Sequence, residues 1–416
     1  MKKKFFNFLA ALFFALGIFT EASGIGNIPN TINLYSAEAE QFRLGRIISL
    51  SQTEDNGVVA LSSGNEDNAN IEIIPKCNGE AQLKVNVFGL EVKRVQVNVK
   101  GPRKVVVGGQ SIGVAFYTKG ALVVGASDIR DENGQIRNPA KEAGLKSGDV
   151  IERVNGIEIK DAEHVMEIIN SESASGFPVR LDIIREGGRL DLEIKSVKDG
   201  ADGAYRLGIW VRDSMAGVGT LSFYDPATMQ FASLGHAVYD NDTNTLLRLK
   251  EGEIVESDIY GIKQGEEGMP GELKGSFDDT KPKIGSISTN NDFGIYGRLY
   301  QEPEKSEHNR IMETAAIDEI ETGPAKILTT IDGDGIKEYD VYIEKLAPQE
   351  YPSTKSMVIR VTDEELLRKT GGIIQGMSGS PIIQNNKVVG AVTHVFVNNP
   401  TKGYGLYASW MLEQME

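Results

Sequence analysis

The sequence predicts a mainly β, multidomain chain, and three observations carry that prediction. Short runs of alternating apolar and polar residues recur through most of the 416 residues, the two-residue period of strands with one buried face. Long helical periodicity is scarce, and beyond residue 204 it is confined to 362–369 and the C-terminus. Near that terminus, Gly376-Met377-Ser378-Gly379-Ser380-Pro381 is followed by two apolar runs joined by the polar turn Gln384-Asn385-Asn386-Lys387. With 40% hydrophobic and 25% charged residues, the chain has the means to bury a core in each of two or three domains.

The N-terminus stands apart. Lys2-Lys3-Lys4 precedes an apolar run over 5–19, broken only by Asn7, and small or polar residues follow over 20–26. That order of charge, apolar core and small-residue tail is an export signal. Residues 1–24 are therefore read as a signal sequence or membrane anchor. Cleavage after Ala22, cleavage after Gly24 and an uncleaved anchor all remain open, although the run is short of the roughly 20 residues of a full span. A net charge of −15 argues against nucleic acid and against an anionic membrane surface as partners, so the membrane is expected to be met only through this segment. Cys77 is the single cysteine, which precludes an intrachain disulfide and reads as a small buried residue. The four histidines, His164, His236, His308 and His394, show no metal-ligand spacing, so neither metal nor cofactor is expected.

Residues 31–102 form the first β pattern. Runs such as Gln82-Leu83-Lys84-Val85-Asn86-Val87 and Val95-Gln96-Val97-Asn98-Val99 alternate strictly, and Asn/Asp/Gly turns separate them. They predict a small antiparallel β module without visible chemistry. After Gly101-Pro102 the pattern changes. Ser111-Ile112-Gly113-Val114 opens a strand, and Pro139-Ala140-Lys141-Glu142-Ala143 reads as a short helix. Ala143-Gly144-Leu145, Gly148-Asp149 and Val154-Asn155-Gly156 follow. These motifs at this spacing resemble a PDZ domain of the kind attached to exported bacterial proteases, over 104–198. The resemblance implies an α+β domain in which a peptide adds as a strand and a loop of amides takes its carboxylate. It assigns that loop to Ser111, Ile112, Gly113 and Val114, and a ligand contact to His164 on the helix that Asp161 caps.

The remaining β-rich stretch, 203–416, carries the chemistry. A serine between glycines lets the backbone turn tightly. The amides of Gly376 and Ser378 then converge on the oxyanion formed when Ser378 attacks a carbonyl. Such a nucleophile needs a base. His236, ending the run Ser233-Leu234-Gly235-His236, is expected to supply it, with His394 as rival. The residues leave the acid open among Asp225, Asp240 and Asp363, and Asp363 also reads as a helix N-cap. The ending of strand, turn, strand, Gly-Tyr-Gly strand and closing helix resembles the second barrel of trypsin-like proteases, which implies a double β-barrel. The walls beside the serine, 373–377 and 393–397, are expected to set specificity.

Export signal, PDZ pattern, Ser-Leu-Gly-His, Val361-Thr362-Asp363 and the run 371–381 continued by 390–396 together resemble the SpoIVB peptidase family of endospore formers. That resemblance implies a triad of His236, Asp363 and Ser378. It implies a protease exported across the forespore membrane into the intermembrane space, which cleaves itself and then a membrane-bound regulator. That cut would release an intramembrane protease and trigger a late sigma factor. The alternative is an exported PDZ adaptor with an inactive protease fold.

Overall fold

The computed structural model describes residues 28–34, 40–43, 47–63, 70–99, 102–276, 282–303, 307–349 and 352–415, in two compact units. The export segment expected at 1–24 lies outside the described residues. The first unit takes the chain up to Lys104 with Glu313–Ile320. It holds a four-stranded and a three-stranded sheet. The alternating runs pair as a hairpin, Gly79–Val87 on Leu90–Val99, turned at Phe88-Gly89 with both φ positive, 51° and 79°, as a two-residue hairpin loop demands. Leu83, Val85, Val95 and Val97 point into one core with Ile32 and Ile73. Cys77 corrects one expectation, since its thiol is exposed.

In the second unit the chain order is β1 (Ser111–Ala126), helix α1 (Pro139–Glu142), β2 (Val150–Val154), helix α2 (Ala162–Ser173), β3 (Val179–Arg185) and β4 (Gly188–Ile194). There follow β5 (Ile209–Tyr224), β6 (Gln230–Ser233), β7 (Leu249–Glu256), β8 (Asp258–Lys263), β9 (Glu272–Ser276), β10 (Lys283–Asn291) and β11 (Gly294–Leu299). Last come β12 (Gly323–Thr330), β13 (Ile336–Leu346), β14 (Met357–Val361), helix α3 (Glu364–Thr370), β15 (Pro381–Gln384), β16 (Lys387–Phe396), β17 (Asn399–Tyr407) and helix α4 (Ala408–Glu413).

Strands β1, β7, β10, β11, β6 and β5 pair in that order, and β5 pairs back onto β1, closing a six-stranded antiparallel barrel. Phe116, Leu221, Phe231, Ile254 and Ile295 fill it, each worth about 1.5–3 kcal/mol on burial. A second six-stranded barrel runs β12-β13-β14-β17-β16-β15 around Ile327, Ile343, Ile359, Ile382 and Leu406, all fully buried. This is the mainly β architecture with two barrels that the sequence predicts.

The domain boundaries differ from expectation. β1 and β5 are each 16 residues long, and each serves two domains. Their facing halves from 111 to 117 and from 214 to 220 close the first barrel, and their other halves, 122–126 and 209–212, continue the pairing beyond it. There β2, β3 and β4 extend the sheet from β1, and α2 packs Val165 and Ile169 against Ile151 and Leu181. The PDZ domain is thus inserted between the first two strands of the first barrel, whose strand pairing begins with β1 at Ser111 rather than at 203. Local signals set its helices as read. Asn138 caps α1 with Pro139 at its start, and Asp161 caps α2. Asp149, 1% exposed, takes both arms of Arg185.

Candidate active site

Two turns meet where the barrels face each other. The first leaves β6 through Leu234-Gly235, both at positive φ, and presents His236. The second is 376–380. Gly376 has φ +97°, and a Cβ there would lie 2.9 Å from the Leu273 side chain, so glycine is required. Thr220 of β5 clamps this turn, donating its N–H to Ser378 O at 3.1 Å and its Oγ1 hydroxyl to Gly376 O at 2.8 Å. Gly379 N donates to Val392 O and Val392 N to Ser380 O, locking the turn onto β16. With its carbonyls held, the turn leaves two amides free. Neither Gly376 N–H nor Ser378 N–H has an acceptor among the described residues. Ser380 is fully buried and donates to Met377 O, so it props the turn and faces no solvent.

His236 Nδ1 lies 2.8 Å from its neighbour's carbonyl, Ala237 O. Because a carbonyl only accepts, Nδ1 carries the proton and Nε2 keeps its lone pair. Burial lowers the pKa of this imidazole, and the Ala237 bond only partly offsets that. His394 stands beside it, ring centroids 4.8 Å apart. Desolvation, then the neighbouring His236 and Lys355, hold His394 down to about 4. Both histidines are therefore neutral at neutral pH. The Ser378 hydroxyl donates to Thr393 O at 2.7 Å, and no hydrogen bond joins it to His236. A turn about χ1 is needed to present Oγ to the imidazole, a tightening common on substrate binding.

These groups line one cleft of about 600 Å³, and Ile373, Ile374, Gln375, Val395 and Val397 form walls of it. Both segments read as specificity walls are therefore at the cleft.

Asp363 is not brought there. Its carboxylate accepts from Leu366 N at 2.9 Å and from Asp340 N at 3.4 Å, capping α3. The helix explains why: acids fill its first turn, Arg368 and Lys369 its last, and Gly371 ends it at φ 74°. The acid implied by the family resemblance is replaced at Nδ1 by a carbonyl. The other candidates are also engaged elsewhere. Asp225 holds the turn amides of Ala227 and Thr228, and fully buried Asp240 pairs with Arg212.

The carboxylate loop also needs correction. Ser111, Ile112, Gly113 and Val114 lie in β1 with both edges covered: Val114 pairs with Gly217 of β5 and with Ile254 of β7. No strand can add there. Leu207-Gly208-Ile209, where the chain enters β5, has the needed features. Gly208 has φ +72°, and a Cβ there would meet Ser127 O at 2.4 Å. The N–H groups of Leu207 and Gly208 have no acceptor among the described residues. The signal was an apolar-Gly-apolar triplet entering a strand, masked by its distance from the rest of the motif. His164 does occupy the first turn of α2, where its Nδ1 accepts from Lys160 N at 3.2 Å.

The sequence profile of the SpoIVB peptidase S55 family matches residues 203–412, just over half of the chain. The chain belongs to that family. A PDZ-domain profile matches 121–196, beginning where β1 leaves the barrel. It is thus a serine peptidase with a PDZ domain. A protein of Lactococcus lactis subsp. lactis named for zinc metalloprotease activity is 32% identical over 126 residues, 30% of this chain. The chain spans only 27% of that relative's length. No cluster of three or more His, Cys, Asp or Glu that could hold a metal occurs among the described residues. Among solved structures, the Rv3671c protease of M. tuberculosis in its active form is 15% identical, with a TM-score of 0.30 over 48% of this chain and 73% of that one. Its inactive form gives 15%, 0.28, 48% and 82%. Scores this low add nothing to the assignment, which rests on the family match.

Proposed function

We propose that this chain is an exported endopeptidase of sporulation signalling. It crosses the forespore membrane into the intermembrane space and cleaves itself near the N-terminus. It then cleaves a membrane-bound regulator of an intramembrane protease, so that a late sigma factor becomes active. The observation that carries the chemistry is the convergence of Ser378, an imidazole with a bare Nε2 and two unbonded amides on one cleft. Ser378 Oγ attacks the substrate carbonyl, and its proton passes to His236 Nε2. The carbonyl oxygen takes the negative charge and is met by the amides of Gly376 and Ser378. The imidazolium returns its proton to the leaving amine, and water then releases the acyl group by the reverse sequence. The carbonyl of Ala237 holds the base in the required tautomer. Peptide recognition falls to the open edge of β5 after Gly208, beside α2.

One observation favours a second reading, an exported PDZ adaptor with an inactive peptidase fold: the Ser378 hydroxyl is bonded to Thr393 O and not to His236. A fluorophosphonate separates the two. Labelling of the purified protein that maps to Ser378 and is lost in Ser378→Ala supports the endopeptidase. An unlabelled but folded protein supports the adaptor.

A further inference from the structure

Strand β5 has one covered edge and one open edge. β1 covers the first from Thr220 back to Ile209. On the second, β6 pairs only with Leu221, Phe223 and Tyr224. Among the described residues no strand pairs with that edge from Gly219 to Ile209, and β9 packs Gly275 only against the Val218 side chain at its end.

The two ends of this open stretch meet the cleft at Ser378 and the unbonded amides at Gly208. At one end, Thr220 binds the backbone of Ser378 and Gly376 directly, and Met215, Ala216, Gly217 and Val218 line the catalytic cleft. At the other end lie the unbonded amides of Leu207 and Gly208. Between them α2 is tied to the same strand, because Ala162 N donates to the Asp213 carboxylate at 2.8 Å. Ser214, Ala216 and Gly217 are exposed along the way. Polarity fits as well. A chain adding antiparallel to β5 runs, in its own N-to-C direction, away from Ser378 and towards Gly208. The residues that follow a cut therefore travel along the edge, and a terminal carboxylate arrives at the free amides.

We infer that the leaving side of the catalytic cleft and the peptide groove of the PDZ domain are one continuous strand-addition site, which takes the C-terminal tail of the second substrate, the membrane-bound regulator, and fixes that cut at a set distance from its free carboxyl end. The span from residue 218 to 209 corresponds to about ten extended residues, or about 33 Å at roughly 3.3 Å each. This rests on the reading of Ser378 as nucleophile, and it adds a ruler to it.

The test uses a degenerate library of 30-residue synthetic peptides, with free or amidated C-termini, and the full-length protein. Mass spectrometry locates the cuts. The ruler expects cuts in the free-acid library to cluster about ten residues from the carboxyl end, and that cluster to vanish on amidation. Cuts spread without regard to the terminus, or clustered equally in both libraries, would overturn it. A second arm uses Ser378→Ala protein, so that a failure of catalysis is not mistaken for a failure of the ruler. Hydrogen exchange with the free-acid library should protect β5 amides as one block from 209 to 218. Protection that stops at Asp213 sinks the ruler whether or not the wild-type enzyme cuts.

Discussion

At the scale of single residues, the site is defined by which polar atoms are already engaged. Among the described residues Ser378 N, Gly376 N and His236 Nε2 have no hydrogen-bond partner, whereas Ser380 Oγ and both oxygens of Asp363 are bonded to backbone. Ser378→Ala should therefore remove proteolysis by several orders of magnitude while Ser380→Ala chiefly loosens the turn, as single-turnover rates and melting curves of the two variants will show. His236→Ala should lower kcat/KM by about 10²–10⁴-fold, and to about the same residual level as Ser378→Ala when the two are combined. The base works only when neutral, and burial lowers its pKa. The acid limb of the kcat/KM profile should thus fall below the ordinary imidazole value of about 6.5. His394 adds a stability term of known sign. The fold keeps it neutral down to about 4, whereas the unfolded chain protonates it near 6.5. Folding stability should decline as pH falls through that window, and His394→Gln should flatten the decline in a thermal-shift series.

At the scale of elements, α3 and β5 carry the lessons. The sequence marks Thr362-Asp363 as a helix start and, by family resemblance, as the acid of a triad; in the structure its carboxylate accepts from Leu366 N and Asp340 N, and no hydrogen bond joins it to His236 among the described residues. The cap won because Leu366 N is three residues away along the chain, a contact fixed by local geometry alone. Asp363→Ser keeps a capping oxygen without a carboxylate. It should preserve both melting temperature and kcat/KM, while Asp363→Ala should cost about 1 kcal/mol of stability. A stable Asp363→Ser protein with collapsed kcat would return the carboxylate to catalysis. In β5, Arg212 on the PDZ side pairs with Asp240, four residues beyond His236, so the groove strand and the histidine loop are physically joined.

At the scale of the whole second unit, the insertion of one domain into another sets what can be separated. A truncation beginning at 203 deletes β1 and leaves β5 and β7 without their common partner, so it should yield insoluble protein. Replacing 119–212 by an Asn-Gly turn keeps the Tyr117–Ser214 pair in a hairpin geometry that such a turn favours. That protein should stay soluble and react with a fluorophosphonate, and light scattering with active-site titration will check both outcomes.

The sequence by itself determined the features that depend on near neighbours: strands of period two, the short helix from Pro139, the capped helices at Asp161 and Asp363, the glycine-bounded turn at Ser378 and the family to which they belong. Both β modules and the PDZ helices were legible for that reason. It did not determine which strand edges are covered, because edge occupancy is a pairing between residues about a hundred positions apart. Ser111–Val114 and Leu207–Ile209 look alike as short apolar runs with glycine. Only tertiary pairing buries the first between β5 and β7 and leaves the second open. The same holds for the acid: proximity to His236 is a matter of three-dimensional packing, and packing gave that imidazole a carbonyl partner from the next residue instead.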